Sequence, residues 1–285
     1  MATLKQIRQR IRAAKNIQQI TKAMKLVAAA RLKKSTDRVL EARPYADKLK
    51  DIMTSMSASG SLPDHPLLTK RDVKNVLVIV LTSDRGLAGG FNTTIIRKAT
   101  DFMKSLEGKP IQMITYGKKA NMFFSKRGFA VVDNYSAPSA GAQLVDATAL
   151  TRKAQEMFES GEVDAVWVVY AKFFSAVRQV PQCVQLLPIE APAVDGSAAG
   201  GEVEFEPSAD VVLNSLLPRY FRTLIWQSML ESTASEFGAR MSAMTAATDN
   251  AGKMIQTLTL KANRERQAAI TKEILEVVGG AEALK

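Results

Sequence analysis

The segment whose residue types come nearest to chemistry is Ser83-Asp84-Arg85-Gly86-Leu87-Ala88-Gly89-Gly90-Phe91-Asn92. It lies between the apolar run Val76 to Leu81 and a helix-forming stretch, where open α/β sheets bind ligands beyond their strand ends. A phosphate cradle there would need the G-x-G-x-x-G or G-x-x-x-x-G-K-[ST] spacing, and the segment has neither spacing and no Lys. The better reading is a tight strand-to-helix turn with Asn92 as N-cap; nucleotide binding is the alternative. Elsewhere catalytic groups are sparse. The single histidine, His65, sits in a Pro-flanked loop, so no Ser/His/Asp triad and no His-rich metal site can form. The single cysteine, Cys183, reads as a buried strand residue and fits a reducing compartment. Glu231, Glu236, Glu265, Glu273 and Glu276 read as the solvated face of one helix, partly paired with Arg240, Arg264 and Lys272. No catalytic, cofactor or metal-binding residue is expected.

The elements around that turn fall into three pieces, 1–60, 70–207 and 208–285. In the first, Thr3 and Gln6 form a capping box. Apolar residues then recur at Leu4, Ile7, Ile11, Ile17, Ile20, Met24, Val27, Val39, Leu49, Ile52, Met53 and Met56, mostly at helical steps. Pro44 bends this helix, and Gly60, Pro63 and Pro66 stop it. In the last piece, Ser208 is the expected N-cap, Asp210 lies in the first turn, Pro218 marks a kink, and Gly279-Gly280 the stop. Between them Phe237, Met241, Met244, Thr248, Ala251, Ile255, Leu258 and Ala262 alternate four and three, a heptad seam. At about 1.5 Å per residue the two helices span ~80 Å and ~100 Å, and neither can bury a stripe alone. Antiparallel pairing is the economical solution, with the bare end of the longer helix projecting beyond its partner.

The middle piece alternates strand and helix: strands at Val76–Leu81, Ile111–Tyr116, Ala130–Val132, Val163–Ala171 and Val177–Leu187, helices at Asn92–Leu106, Lys118–Lys126 and Ala142–Phe158. That order predicts a Rossmann-like open α/β domain with a mostly parallel sheet. Pro181 places the last strand near an edge. Pro192 to Pro207 reads as a connecting loop.

Charge is concentrated at one end. Residues 1–50 carry 14 Lys and Arg against three Asp and Glu, an excess that equals the net charge of +11 for the whole chain. Such a helix needs an anionic partner: nucleic acid, an anionic membrane surface or an acidic protein face. It lacks the interleaved aromatics of a base-stacking arm, so an acidic protein face is favoured. The longest apolar runs are far too short to span a membrane, and no secretory signal begins the chain.

Three stretches together resemble the gamma subunit family of the rotary, F-type proton-translocating ATP synthase. They are Ile17-Gln18-Gln19-Ile20-Thr21-Lys22-Ala23-Met24-Lys25-Leu26-Val27, the turn Thr82 to Asn92, and Ala234-Ser235-Glu236-Phe237-Gly238-Ala239-Arg240-Met241 continuing through Asn263-Arg264-Glu265-Arg266-Gln267 to Leu284. Ala88 departs from the Cys that many relatives carry. The resemblance implies a non-catalytic central shaft of paired terminal helices inside a hexamer of alpha and beta subunits. Its α/β foot would sit on the membrane c-ring beside the epsilon subunit. Proton flow would turn the shaft, which would drive ATP synthesis and regulate ATPase activity and proton flow. It further implies beta-subunit contacts at Met24, Lys25, Arg240, Arg264, Arg266, Gln267 and Thr271, and a foot-domain turn at Asp84, Arg85, Gly86, Gly89, Gly90 and Asn92. No cofactor, no nucleic acid and no direct membrane insertion are implied; the expected place is the cytoplasmic face of a bacterial inner membrane, as a peripheral protein.

Overall fold

The computed structural model describes residues 3–58, 65–106, 108–190 and 209–282. Helix α1, Leu4–Ala58, opens the described chain, and α5, Ala209–Glu282, closes it. Between them run β1 (Val76–Leu81), α2 (Phe91–Lys104), β2 (Ile111–Tyr116), α3 (Lys118–Ser125), β3 (Ala130–Tyr135), α4 (Leu144–Glu159), β4 (Ala165–Ser175) and β5 (Arg178–Leu187). Contacts divide the chain into two compact units, Met1–Val27 with Met241–Lys285, and Ala28–Arg240.

The larger unit holds a five-stranded sheet in the order β3-β2-β1-β4-β5. β1 to β4 are parallel, and β5 runs antiparallel to β4 at the edge, where its Pro181 costs no further pairing. β1 is central and buried at all six positions, as its unbroken apolar run requires. Val76, Val78 and Val80 meet Phe91, Ile95, Ala99 and Met103 of α2 and Phe124 of α3. Leu77, Ile79 and Leu81 join the opposite cluster, with Leu150 and Phe158 of α4, Phe221 and Ile225 of α5, and Met53 and Met56 of α1. Both terminal helices are thus built into the sheet's core; Met53 and Met56 are fully buried, each contributing about 1.5–3 kcal/mol.

In the smaller unit, α1 and α5 pair antiparallel. Thr21 meets Thr248, and the Gln18 amide lies against Gly252, where a Cβ would come within 3.0 Å of it. At the start of α1 the capping box forms as expected: Thr3 N–H donates to Gln6 Oε1 at 3.1 Å and Gln6 N–H to Thr3 Oγ1 at 3.4 Å.

Several sequence expectations change. The buried seam of α1 in this unit is Ile7, Ala14 and Thr21, flanked by half-buried Leu4, Ile11 and Gln18. Ile17, Ile20 and Val27 lie outside it, exposed at 53, 59 and 53 %. The alternation of three and four begun by Leu4, Ile7 and Ile11 continues through small and polar residues, because the facing α5 seam is itself small. Ile52 is likewise exposed. α5 does not stop at Gly279-Gly280 but reaches Glu282. Each Gly costs only ~1 kcal/mol in a helix, and Ala281 and Glu282 are good helix formers. β3 is longer than expected, because Ile114, Thr115 and Tyr116 extend the pairing to Asp133, Asn134 and Tyr135. Pro44 and Pro218 both lie inside continuous helices. The expected breakers Gly60 and Pro63, the N-cap Ser208 and the loop Pro192 to Pro207 lie outside the described residues.

Candidate functional site

The turn after β1 spends its polar groups on itself. Asn92 does not cap α2; Gly90 occupies that position. Instead Asn92 Oδ1 accepts from the Ser83 N–H and from Ser83 Oγ, each at 3.0 Å, and Ser83 Oγ also lies 2.7 Å from the Arg85 carbonyl. The side chain closes the turn on itself, a stronger use of a short amide than a cap when the chain must reverse within a few residues. Asp84 Oδ1 accepts from the N–H groups of Lys118 at 2.9 Å and Ala137 at 3.0 Å, tying the turns after β1, β2 and β3 together. A phosphate brought to this turn would meet the Asp84 carboxylate as like charge. Behind the turn lies a cavity of about 10 Å³ bordered by Thr82, Tyr116 and Glu236. That is room for about one water and far below a nucleotide. A Cβ on Gly117, at φ 96°, would overlap the Thr82 carbonyl, so the close crossing of these turns requires glycine. Arg85, Gly86, Gly89 and Gly90 are exposed, while Asp84 and Asn92 are half-buried.

Two acids expected on a solvated face are internal. Glu231 is 3 % exposed; its Oε1 receives Gln227 Nε2 at 3.4 Å, and its Oε2 has no partner among the described residues. Burial raises its pKa against the opposing pull of Lys172, the Gln227 bond and Arg43. Glu236 pairs with Arg240 at 2.6 Å, both side chains largely buried, and burial raises its pKa as well, with Arg240 opposing. Arg240 Nη2 donates to the Gly86 carbonyl at 3.3 Å. The helical pattern placed both acids on the wrong face, because over 223–240 every residue of α5 is buried or half-buried. The pair of Lys272 with Glu276, in contrast, is solvated as expected. Cys183 is half-buried on β5 with its thiol pKa pushed up to about 12 by burial, so it is an inert thiol.

The remaining candidate residues lie on helix surfaces of the smaller unit. Met24 and Lys25 are half-buried on α1; Arg264, Arg266, Gln267 and Thr271 are exposed on α5. The sequence reading missed that Ile17, Ile20 and Val27 form an exposed apolar face of α1. The strict three-four spacing from Leu4 was the signal that could have revealed it. A second exposed apolar set, Ile270, Ile274, Leu275, Val277 and Val278, lies near the end of α5. Among the described residues no acid, cysteine or histidine cluster could hold a metal ion, and no helix is long and apolar enough to cross a membrane.

The family described as ATP synthase matches residues 3–284. The ATP synthase gamma chain of Heliobacterium modesticaldum is 45 % identical over 291 residues, covering all of both chains. That of Anaeromyxobacter sp. strain K is 44 % identical over 290 residues, again covering both completely. Among solved structures, a chain of the Euglena gracilis mitochondrial ATP synthase, determined with OSCP, F1 and c-ring, superposes with a TM-score of 0.68 at 18 % identity, covering 99 % of this chain and 94 % of that one. A chain of the Tetrahymena thermophila central stalk and c-ring gives 0.61 at 22 % identity, covering 80 % and 99 %. These two share the fold: long terminal helices around a mostly parallel five-stranded sheet. The chain belongs to the ATP synthase gamma chain family.

Proposed function

We propose that this chain is the non-catalytic central shaft of a bacterial ATP synthase. It couples rotation of a membrane ring, driven by proton flow, to ATP synthesis and hydrolysis in a hexamer of alpha and beta subunits, and so regulates ATPase activity and proton flow. The observation that carries this reading is the surface of the smaller unit: an exposed apolar stripe at Ile17, Ile20 and Val27, and a second apolar set from Ile270 to Val278. Helices that leave such faces uncovered in water are built to be enclosed by other chains. The excess of 11 cations in the first 50 residues gives those chains an acidic complement.

In this reading Met24 and Lys25 face acidic loops of the beta subunits, and Arg264, Arg266, Gln267 and Thr271 touch beta higher in the hexamer. Arg240, held by Glu236 and Gly86, serves the chain's own fold first. The α/β unit is the foot, seated on the c-ring beside epsilon, at the cytoplasmic face of the inner membrane. Neither nucleic acid nor a cofactor takes part. The self-satisfied turn at Asp84 to Asn92 argues against the alternative of a nucleotide-binding α/β protein. The test is affinity purification of the full chain from its own host. Recovery of ATPase alpha and beta subunits in a fixed ratio supports the proposal; a chain recovered without them contradicts it.

A further inference from the structure

Four residues on α5 meet strands and turns of the sheet through backbone groups rather than through apolar packing. Ser235, fully buried, donates its hydroxyl to the Ala171 carbonyl of β4 at 2.9 Å. Ala171 pairs across the sheet with Pro181, which has no N–H to give, and it lies beyond Val169, the last β4 residue in register with β1. Ser235 thus supplies a donor where the strand opposite offers none. One turn earlier, Ser232 donates to the carbonyl of Leu81, the last residue of β1, at 3.4 Å. One turn later, Gly238 lies against the β4–β5 turn; a Cβ there would stand 3.2 Å from the Ala176 carbonyl and 3.4 Å from the Ala176 Cα. Beyond it, Arg240 donates to the Gly86 carbonyl in the turn after β1, with its guanidinium paired to Glu236.

Apolar side chains packed on a sheet hold a helix in place through burial and close packing, but each such contact carries no direction of its own. Hydrogen bonds are directional and weaken steeply as their angle opens. A helix bonded at 232, 235 and 240, and approaching backbone closely at 238, is fixed in rotation about its own axis as well as in place.

We infer that Ser232, Ser235, Gly238 and Arg240 form a torque lock: they are positioning residues that stop α5 from rolling on the sheet when load passes between them. The inference rests on the shaft reading above and names where, within the α/β unit, rotation is handed to the helix. The lock carries load only when the α/β unit drives the helix or is driven by it. It is idle when α5 turns inside a hexamer with nothing attached to the foot.

The experiment uses the assembled enzyme in sealed vesicles, with Ser232→Ala and Ser235→Ala combined. Losing each bond raises the population of the disengaged arrangement roughly threefold to tenfold. Protons pumped per ATP should therefore fall, while hydrolysis by the detached hexamer carrying the same chain stays within about twofold of the parent. A general loss of stability would lower both readings together. Unchanged pumping in the serine variant, or a parallel fall of pumping and detached hydrolysis, overturns the lock. Should the parent chain fail to assemble with ATPase subunits at all, the shaft reading itself falls, before any variant is compared.

Discussion

Thr248 donates its hydroxyl to Thr21 at 2.8 Å, joining residues 227 positions apart where α1 and α5 run antiparallel. Thr21 in turn donates to the Gln18 carbonyl at 3.1 Å, so the half-buried pair is satisfied without water. A polar pair inside a seam of small residues favours this register, since sliding either helix by one turn breaks the Thr21–Thr248 bond and leaves each hydroxyl only its own helix carbonyl, Gln18 for Thr21 and Met244 for Thr248. Thr248→Val should cost about 0.5–1.5 kcal/mol in urea unfolding followed by circular dichroism. Leu258→Asp, in the same seam, should cost more and lower incorporation of the chain into the enzyme. Glu276→Gln, on the solvated end of α5, should stay within about 0.5 kcal/mol. Wild-type assembly of Leu258→Asp would show that the helices are not paired at that point.

The exposed apolar stripe gives the opposite signature. Ile17→Ser combined with Ile20→Ser should leave the unfolding midpoint of the isolated chain within about 0.5 kcal/mol of the parent, because both side chains already face water. The same pair should weaken retention of the chain by the hexamer, read as the fraction that elutes free on size exclusion. A destabilised chain with unchanged retention would reassign both residues to the chain's own core.

Much of this was legible from the chain alone. β1 could be placed because Val76 to Leu81 is apolar on both faces, and α5 because its heptad seam alternates without a break from Phe237 to Ala262. The α1 seam was harder. Hydrophobicity points to Ile17, Ile20 and Val27, while packing selects Ala14, Gln18 and Thr21, since the facing stripe of α5 is small. Glu231 and Glu236 were assigned to solvent because a helix pattern reports which faces are apolar, not how many faces are covered. The self-closure of the turn by Asn92, and the donors that Ser232 and Ser235 give to strands, depend on elements distant in sequence and leave no local pattern.

Glu231 makes a pH prediction. Its carboxyl titrates above the ordinary 4.5 because burial disfavours the charged form, so the folded state binds this proton more tightly than the unfolded state does. The resulting cost to stability is present at pH values above the folded pKa and is relieved as pH falls toward 4.5. Glu231→Gln should therefore be at least as stable as the parent at pH 7.5, and that advantage should shrink by pH 5. Thermal melts of both proteins at the two pH values check this. An advantage that grows on acidification would mean that Lys172 and Arg43 hold the carboxylate charged.

Arg266 lies exposed on α5 beyond the buried ladder. In the proposed shaft reading, a guanidinium there suits a carboxylate-bearing loop of a beta subunit, in a contact that would form and break as the shaft turns. Arg266→Ala should leave subunit composition intact and slow ATP turnover ~10–100-fold, the effect of losing one charge-assisted hydrogen bond at a limiting step. Steady-state hydrolysis and proton-driven synthesis by the purified variant enzyme, with composition checked on a gel, measure it. Unchanged rates in both directions would leave Arg266 a solvated residue.

Direct observation of rotation bears most closely on the shaft assignment. The hexamer is fixed to a surface, and a bead is attached through a cysteine at Lys109, between α2 and β2 and exposed, with Cys183 changed to Ser. On addition of Mg-ATP the bead should turn in one direction in discrete steps, at a rate that follows ATP hydrolysis. A bead that stays still while the same molecules continue to hydrolyse ATP would contradict the assignment of this chain as the rotor.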